Sequence, residues 1–281
     1  MTRTLSVILP AHNESAWIDG CLGALCASDP LPEGWLAEVI VVPNGCRDDT
    51  AARARAWDER FSLRGWHLLV EERAEGGKLG ALNHGDAVAR GDVRAYLDAD
   101  VLVSPPLLAE LTETLATEAP RYAGGTPKIA PQQQRFTRLY TRFWTRLPFV
   151  TTGAPGFGIF AMSAAGRARW GDWPDIISDD TFARLNFTPQ ERTRVGAGYS
   201  WPMVEGFANL VRVRRRQNAG VDEVAAIFPD LLANADSNRP SKALVLRLAL
   251  RDPAGFLAYA AVALAVRSPL FHNRSRWDRG R

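Results

Sequence analysis

No Cys-x-x-Cys pair occurs among these 281 residues, and the three cysteines, Cys21, Cys26 and Cys46, form an odd, sparse set. That excludes a disulfide scaffold and points to a reducing compartment. Four scattered histidines give no zinc spacing. No signal-peptide pattern precedes the first apolar run, so a cytoplasmic protein is expected. The apolar run 254–266 is too short to cross a bilayer. There is no internal repeat and no low-complexity linker. A formal charge of +3 is too small to argue for nucleic acid, and none is expected as a partner. No G-x-G-x-x-G follows the first strand-like run, which weakens a dinucleotide-binding reading, and residues 76–80 lack P-loop spacing.

What remains is ordinary globular material, 46% hydrophobic and 23% charged, with ample apolar content for a core. The length fits one large domain, or one domain with an appendage. Continuous apolar runs at 5–9, 39–42 and 66–70 alternate with stretches of helical spacing. In the first of these Ile18, Leu22, Leu25 and Cys26 follow Ser15, a candidate cap. Asp48 and Asp49 begin a second helix, and Gly76-Gly77-Lys78 opens a third. Alternation of this kind means a mostly parallel sheet covered on both faces.

The run 94–100 is the chemical centre. A buried strand there ends in Asp98 and Asp100, and on an extended segment residues i and i+2 point the same way. Paired carboxylates suit a hard cation, Mg²⁺ or Mn²⁺, completed by water and phosphate oxygens. Three more loops follow strands and reach the same rim, at 10–14, 44–49 and 76–83. Glu14 would grip base and ribose hydroxyls, and Asn44 offers both a donor and an acceptor to a base edge. Lys78 sits at a helix N-terminus, where N–H groups and the dipole favour phosphate.

In order, SVILPAHNE, EVIVVPNGCRDDT, GGKLGALNHG and YLDAD resemble the nucleotide-sugar half of glycosyltransferase family 2, over roughly the first 105 residues. The resemblance implies an α/β chain with a GT-A-type, Rossmann-like mixed sheet flanked by helices, a single domain with a C-terminal helical appendage. Residues 1–105 would form the donor half, 106–235 the acceptor and catalytic half, and 236–281 a helical, basic tail. It implies an inverting, metal-dependent transferase moving a sugar from a nucleoside-diphosphate sugar, first a UDP-sugar, to a hydroxyl. Pro10, His12 and Glu14 would lie by base and ribose, Lys78 by the donor, Asp98 by ribose and sugar, and Asp100 on the metal. The family usually shows two acids where this chain has Pro43-Asn44, which leaves the base more open.

In the second half, residues 122–128 read as a strand returning to the site, and the glycine-rich loop 153–158 as either a close approach to ligand or a hairpin turn. Asp179-Asp180 resembles the family's second acidic motif, with Asp180 as base and Asp179 as its support; Ser178 is a candidate helix cap. Residues 209–217 read as a strand with Arg212, Arg214 and Arg216 on one face. They are loosely similar to a family segment that closes over the diphosphate, with Arg214 and Arg216 as donor contacts. Residues 134–147 form a basic amphipathic helix, and Arg267, Arg274, Arg276, Arg279 and Arg281 follow the apolar run 254–266 with Phe271 and Trp277. Both suit the inner face of an anionic membrane and a lipid-linked or amphiphilic acceptor, or else ordinary packing. Two rival functions remain: a nucleotidyltransferase, which usually needs a glycine-rich first loop, and a non-catalytic module that kept the donor pocket.

Overall fold

The computed structural model describes residues 2–236 and 240–268. These fall into two compact units that interleave along the chain. One takes the described residues up to Lys128, with Gly156–Asp175 and Asn186–Trp201. The other takes Ile129–Pro155, Ile176–Leu185 and the described residues from Pro202 onward. The partition expected at 105 and 235 follows chain order, which these units do not.

The first unit holds one eight-stranded sheet. Its strands are β1 (Arg3–Ala11), β2 (Trp35–Pro43), β3 (His67–Val70), β4 (Val93–Leu97), β5 (Leu102–Val103), β6 (Tyr122–Ile129), β7 (Ile159–Ser163) and β8 (Arg192–Trp201). The order is β3-β2-β1-β4-β7-β6-β8-β5. The first four strands are mutually parallel, β7 runs antiparallel to β4 and β6, and β5 runs antiparallel to β8. The sheet is therefore mixed, as expected.

Helices α1 (Ile18–Cys26), α2 (Thr50–Arg55), α3 (Asp58–Leu63), α4 (Lys78–Val88) and α5 (Leu107–Leu115) belong to this unit. On one face Leu5, Val7 and Leu9 of β1 join Ile18, Leu22 and Leu25 of α1 in a core that excludes water. Each such side chain contributes about 1.5–3 kcal/mol when fully buried. On the other face a Cβ at Gly85 of α4 would come within 2.5 Å of Ile8, so α4 lies directly on the sheet. Ser15 does not cap α1. The helix begins at Ile18, and the carbonyl of Glu14 accepts from Trp17 and Ile18 N–H.

The second unit is helical: α6 (Arg135–Trp144), α7 (Pro148–Thr151), α9 (Asp179–Leu185), α10 (Phe207–Ile227), α11 (Lys242–Arg251) and α12 (Pro253–Arg267), with the short α8 (Ala164–Arg167) belonging to the sheet unit. The apolar face of α6 is buried against α12: Tyr140 stacks on Tyr259 at 5.8 Å, and Phe143 meets Phe256 and Tyr259. Asp252 accepts from Arg142 Nε at 2.7 Å and from Arg146. The aromatic face of α6 is thus packed inside the unit, and Arg142 of the helix and Arg146 just beyond its end pair with Asp252, which favours ordinary packing over a bilayer-facing α6. No helix among the described residues is long and apolar enough to cross a membrane. Arg274, Arg276, Arg279, Arg281, Phe271 and Trp277 lie outside the described residues.

Residues 209–217 are not a strand. They belong to the 21-residue α10, whose buried positions Leu210, Val211, Gly220 and Val224 keep helical spacing. Burial along that stripe overrides the β-like alternation of Val and Arg. At 3.6 residues per turn, Arg212 and Arg216 share a side of the helix and Arg214 lies across it, so the three do not form one face. Arg214 donates to Gln217 Oε1 at 3.1 Å. Arg215 caps the end of α12, donating to the carbonyls of Ala265 (2.7 Å), Val266 (3.1 Å) and Ser268.

Candidate functional site

In the parallel half of the sheet, Ala11 pairs with Pro43 and Val41 with Val70, so β1, β2 and β3 end at one edge, and β4 ends beside them. Ligands gather at such a carboxyl edge. Four loops leave it, beginning at His12, Asn44, Glu71 and Asp98.

Asn44 is buried, and both the nitrogen and the oxygen of its amide are engaged by the chain. Nδ2 donates to the carbonyls of Ala11 (2.9 Å) and Val42 (3.2 Å), and Oδ1 accepts from Gly77 N–H at 3.0 Å. The expectation that Asn44 reads a base edge is therefore corrected: this side chain stitches three loops together. Its own carbonyl accepts from His12 Nδ1 at 2.5 Å, so the imidazole carries its proton there and Nε2 accepts from Asn13 Nδ2 at 3.1 Å. Asn13 adopts a left-handed φ of 52°, a conformation Asn tolerates better than most residues. Pro10 is the penultimate residue of β1 and Glu14 follows His12 in the same loop, its N–H donating to Thr50 Oγ1 at 2.8 Å.

Opposite this loop, Asp48 accepts from Thr50 Oγ1 at 2.5 Å and from Ser15 N–H at 3.1 Å. Partial burial works against its ionisation, but the hydrogen bonds from Thr50 and Ser15 win and hold the carboxyl at about 2, below its ordinary 3.8. Because the folded value is the lower one, this contribution to stability is full above about pH 4 and lost as pH falls towards 2. Asp48→Asn is expected to flatten the pH dependence of the denaturation midpoint within that window alone. An unchanged slope would show that the clamp does not hold in solution.

Gly77, with φ of 139°, precedes α4 and places Lys78 as its first residue. Lys78 Nζ lies 2.9 Å from Asp98 Oδ1. The strand β4 has ended at Leu97, and Val101 N–H donates to the Asp98 carbonyl at 3.1 Å. Asp98 and Asp100 thus stand on a tight turn and not on an extended segment, which corrects the geometry from which their convergence was argued. The turn rests on the protein's own glycines. Asp98 N–H donates to Gly158 O at 2.9 Å, and a Cβ at Gly158 would come within 2.7 Å of Trp201. At Gly156, φ 80°, a Cβ would fall 2.1 Å from Tyr122 Oη. Gly156 and Gly158 therefore approach the core of this unit. Beneath the turn the Cys21 thiol points at the Asp98 carbonyl, 3.9 Å away, and burial pushes that thiol up out of reach of ionisation.

Among the described residues no group of three or more His, Cys, Asp or Glu could hold a metal unaided. Asp98 and Asp100 are oxygen donors at a solvent-accessible turn, with Lys78 already balancing Asp98. Such a pair fits a hard cation that draws its other ligands from water and substrate phosphates.

One cluster escaped the sequence reading. Asp86, buried on α4, accepts from Arg94 Nη1 (2.6 Å), Tyr96 Oη (2.8 Å), Arg167 Nε (2.9 Å) and Trp173 Nε1 (2.7 Å). It lines a cleft of about 340 Å³ with Asn83, Arg94 and Arg167. The signal was present: Leu79, Leu82 and Asp86 fall on one helical stripe, where an acid must find partners. The network clamps the helix that starts at Lys78 to the strand that leads to Asp98.

In the second unit Asp179 is buried and Asp180 half-buried at the start of α9. Asp180 Oδ1 accepts from Ser178 Oγ (2.9 Å) and Thr181 N–H (2.7 Å). Ile177 N–H donates to Glu223 of α10 at 2.7 Å, and a Cβ at Gly220 would come within 2.9 Å of Ser178. The segment before α9 is therefore packed tightly on α10.

Residues 6–170 match the profile of Glycosyl transferase family 2. Over 105 residues the chain is 37% identical to the glucosyl-3-phosphoglycerate synthase of Mycobacterium tuberculosis, a match spanning 37% of this chain and 31% of that protein. Among solved structures, a mannosyltransferase from Pyrobaculum calidifontis in complex with GDP-Man and Mn²⁺ superposes with a TM-score of 0.61 at 22% identity, covering 96% of this chain and 77% of that one. The Mycobacterium tuberculosis synthase in complex with Mn²⁺, UDP and glucosyl-3-phosphoglycerate gives 0.51 at 22% identity, covering 84% and 82%. At these identities the superpositions speak for the fold, a GT-A-type α/β sheet. With more than half of its length matched by the family's profile, the chain belongs to glycosyltransferase family 2.

Proposed function

We propose that this chain is an inverting glycosyltransferase that moves a sugar from a nucleoside-diphosphate sugar to an acceptor hydroxyl. What supports the reading is the gathering of the His12, Asn44, Lys78 and Asp98 loops at one carboxyl edge of the sheet, inside the stretch matched by the family's profile. Relatives of the same fold are described with GDP-Man, UDP and Mn²⁺; for this chain a UDP-sugar is the first donor to try. Pro10, His12 and Glu14 line the base and ribose. Asn44 holds the loops around them. Lys78 and Asp98 position the donor, Asp98 by the ribose and sugar. Asp100, supported by Asp98, holds Mg²⁺ or Mn²⁺. When bound, that cation neutralises charge on the departing diphosphate. Asp180 takes the proton of the attacking hydroxyl, supported by Asp179. Arg214 and Arg216 lie on opposed sides of α10, so one of them at most meets the diphosphate.

The acceptor is a lipid-linked or amphiphilic alcohol, and the enzyme works at the cytoplasmic face of an anionic membrane. A thermal-shift screen of nucleotide sugars tests the donor reading. At a hundred times Kd a donor that binds only the folded chain adds about 2.7 kcal/mol, on the order of 5–10 °C for a chain of this size. The shift is expected with Mn²⁺ or Mg²⁺ present and absent in Asp100→Asn. No shift with any UDP-, GDP- or dTDP-sugar would overturn the reading.

A further inference from the structure

We infer that the α11–α12 segment, and not α6, is the surface that docks on an anionic phospholipid bilayer. This deepens the peripheral reading above by naming the surface.

Four leucines on these two helices are left in water. Leu246 and Leu250 of α11 are 62% and 76% exposed, and Leu257 and Leu264 of α12 are 66% and 68% exposed. Spacings of four and seven put each pair on one side of its helix. The opposite side of α12 is the packed one: Gly255, Ala258 and Val262 are buried, with Phe256 and Tyr259 against the aromatics of α6. Large apolar side chains gathered on an otherwise well-packed helix mark an interaction surface. Neither helix is long enough to span, so the segment would lie in the interface.

Charge selects the partner. Exposed Lys242, Arg247, Arg251 and Arg267 accompany the leucines. Neither helix carries an acid, and Asp252, the residue that joins them, is buried; it caps α12 by accepting from Gly255 N–H at 2.9 Å and is paired with Arg142 and Arg146. It therefore adds no repulsion at the surface. From residue 240 to the end the sequence has eight Lys or Arg against two Asp, a net of +6. The whole chain is only +3, so the remainder is net negative. A protein partner of ordinary composition would not require that segregation, whereas an anionic leaflet attracts each basic residue near its surface.

Flotation of the full chain tests this, with phosphatidylcholine vesicles alone and with phosphatidylglycerol added. Binding is expected only to the anionic vesicles and is expected to weaken with salt. Two double variants, Leu250→Asp with Leu257→Asp and Arg247→Gln with Arg251→Gln, are each expected to lose on the order of tenfold in partitioning. Their circular dichroism and donor-induced thermal shift are expected to stay unchanged, because all four positions face water. Wild-type chain that stays down with anionic vesicles would overturn both this surface and the peripheral reading. Variants that float like wild type would overturn the surface alone. A wild-type dimer that the leucine variant turns into a monomer would assign the face to a second copy and overturn the inference. None of these outcomes touches the donor reading, which the thermal shift decides separately.

Discussion

Asp180→Asn is expected to lower the rate of sugar transfer by about 10²–10⁴-fold while leaving donor affinity unchanged. A positioned base contributes about that much, and an amide cannot accept the proton. The substitution is nearly isosteric. Asp180 Oδ1 accepts from Ser178 Oγ and Thr181 N–H, and an asparagine oxygen still can, so the start of α9 keeps its shape. Release of nucleoside diphosphate in the presence of acceptor reads the rate, and calorimetric titration of donor with Mn²⁺ reads the affinity. The split between the two measurements is what matters. A structural lesion would weaken both, whereas loss of the base leaves a chain that binds donor and does not turn over. Near wild-type transfer would show that Asp180 is not the base, and Asp179→Asn would then be the variant to make.

Asp86→Ala is expected to cost about 3–5 kcal/mol of folding stability, the range for removing one partner of a buried ionic cluster. The carboxylate takes four donors, two of them guanidinium groups. Its loss leaves Arg167, with an 11% exposed side chain, and Arg94 beside it without a carboxylate counter-charge, held by backbone carbonyls. Burial, with the Asp86 charge added to it, holds the Tyr96 hydroxyl well above its usual value, and Asp86→Ala removes the carboxylate to which that phenol donates. A fall in the urea midpoint at constant m-value measures the effect. A loss below about 1 kcal/mol would show that water in the adjoining cleft solvates the arginines and that the cluster is a surface network. Because α4 and β4 also carry Lys78 and lead to Asp98, donor affinity in Asp86→Ala is expected to fall as well, although residue 86 does not belong to the donor loops.

The alternation of apolar runs with helical spacings was sufficient for the parallel half of the sheet. A strand buried on both faces is mostly apolar, as 39–42 is throughout and 5–9 is apart from Ser6, and parallel strands put every following loop on one edge. Lys78 at the start of a helix was legible for the same local reason, since Gly76-Gly77 breaks the chain just before it. Local rules failed where a side chain's partner is distant in sequence. Asn44 looked like a ligand contact, because nothing near it shows that Ala11 and Gly77, distant in sequence, engage its amide. The partners of Asp86, Arg167 and Trp173, lie more than 80 residues away, so its own helix does not name them.

The sequence by itself determined the strand–loop–helix order, the edge to which the candidate donor residues are delivered, and the family. Each of those follows from periodicity and from motifs a few residues long. Only the tertiary structure decided that Asp98 and Asp100 stand on a turn supported by Gly158, that Arg212–Arg216 belong to a helix, and that the leucines of α11 and α12 face water while the aromatics of α6 do not. Those outcomes depend on which surfaces meet, and burial against a distant segment outweighs the local propensity of either partner.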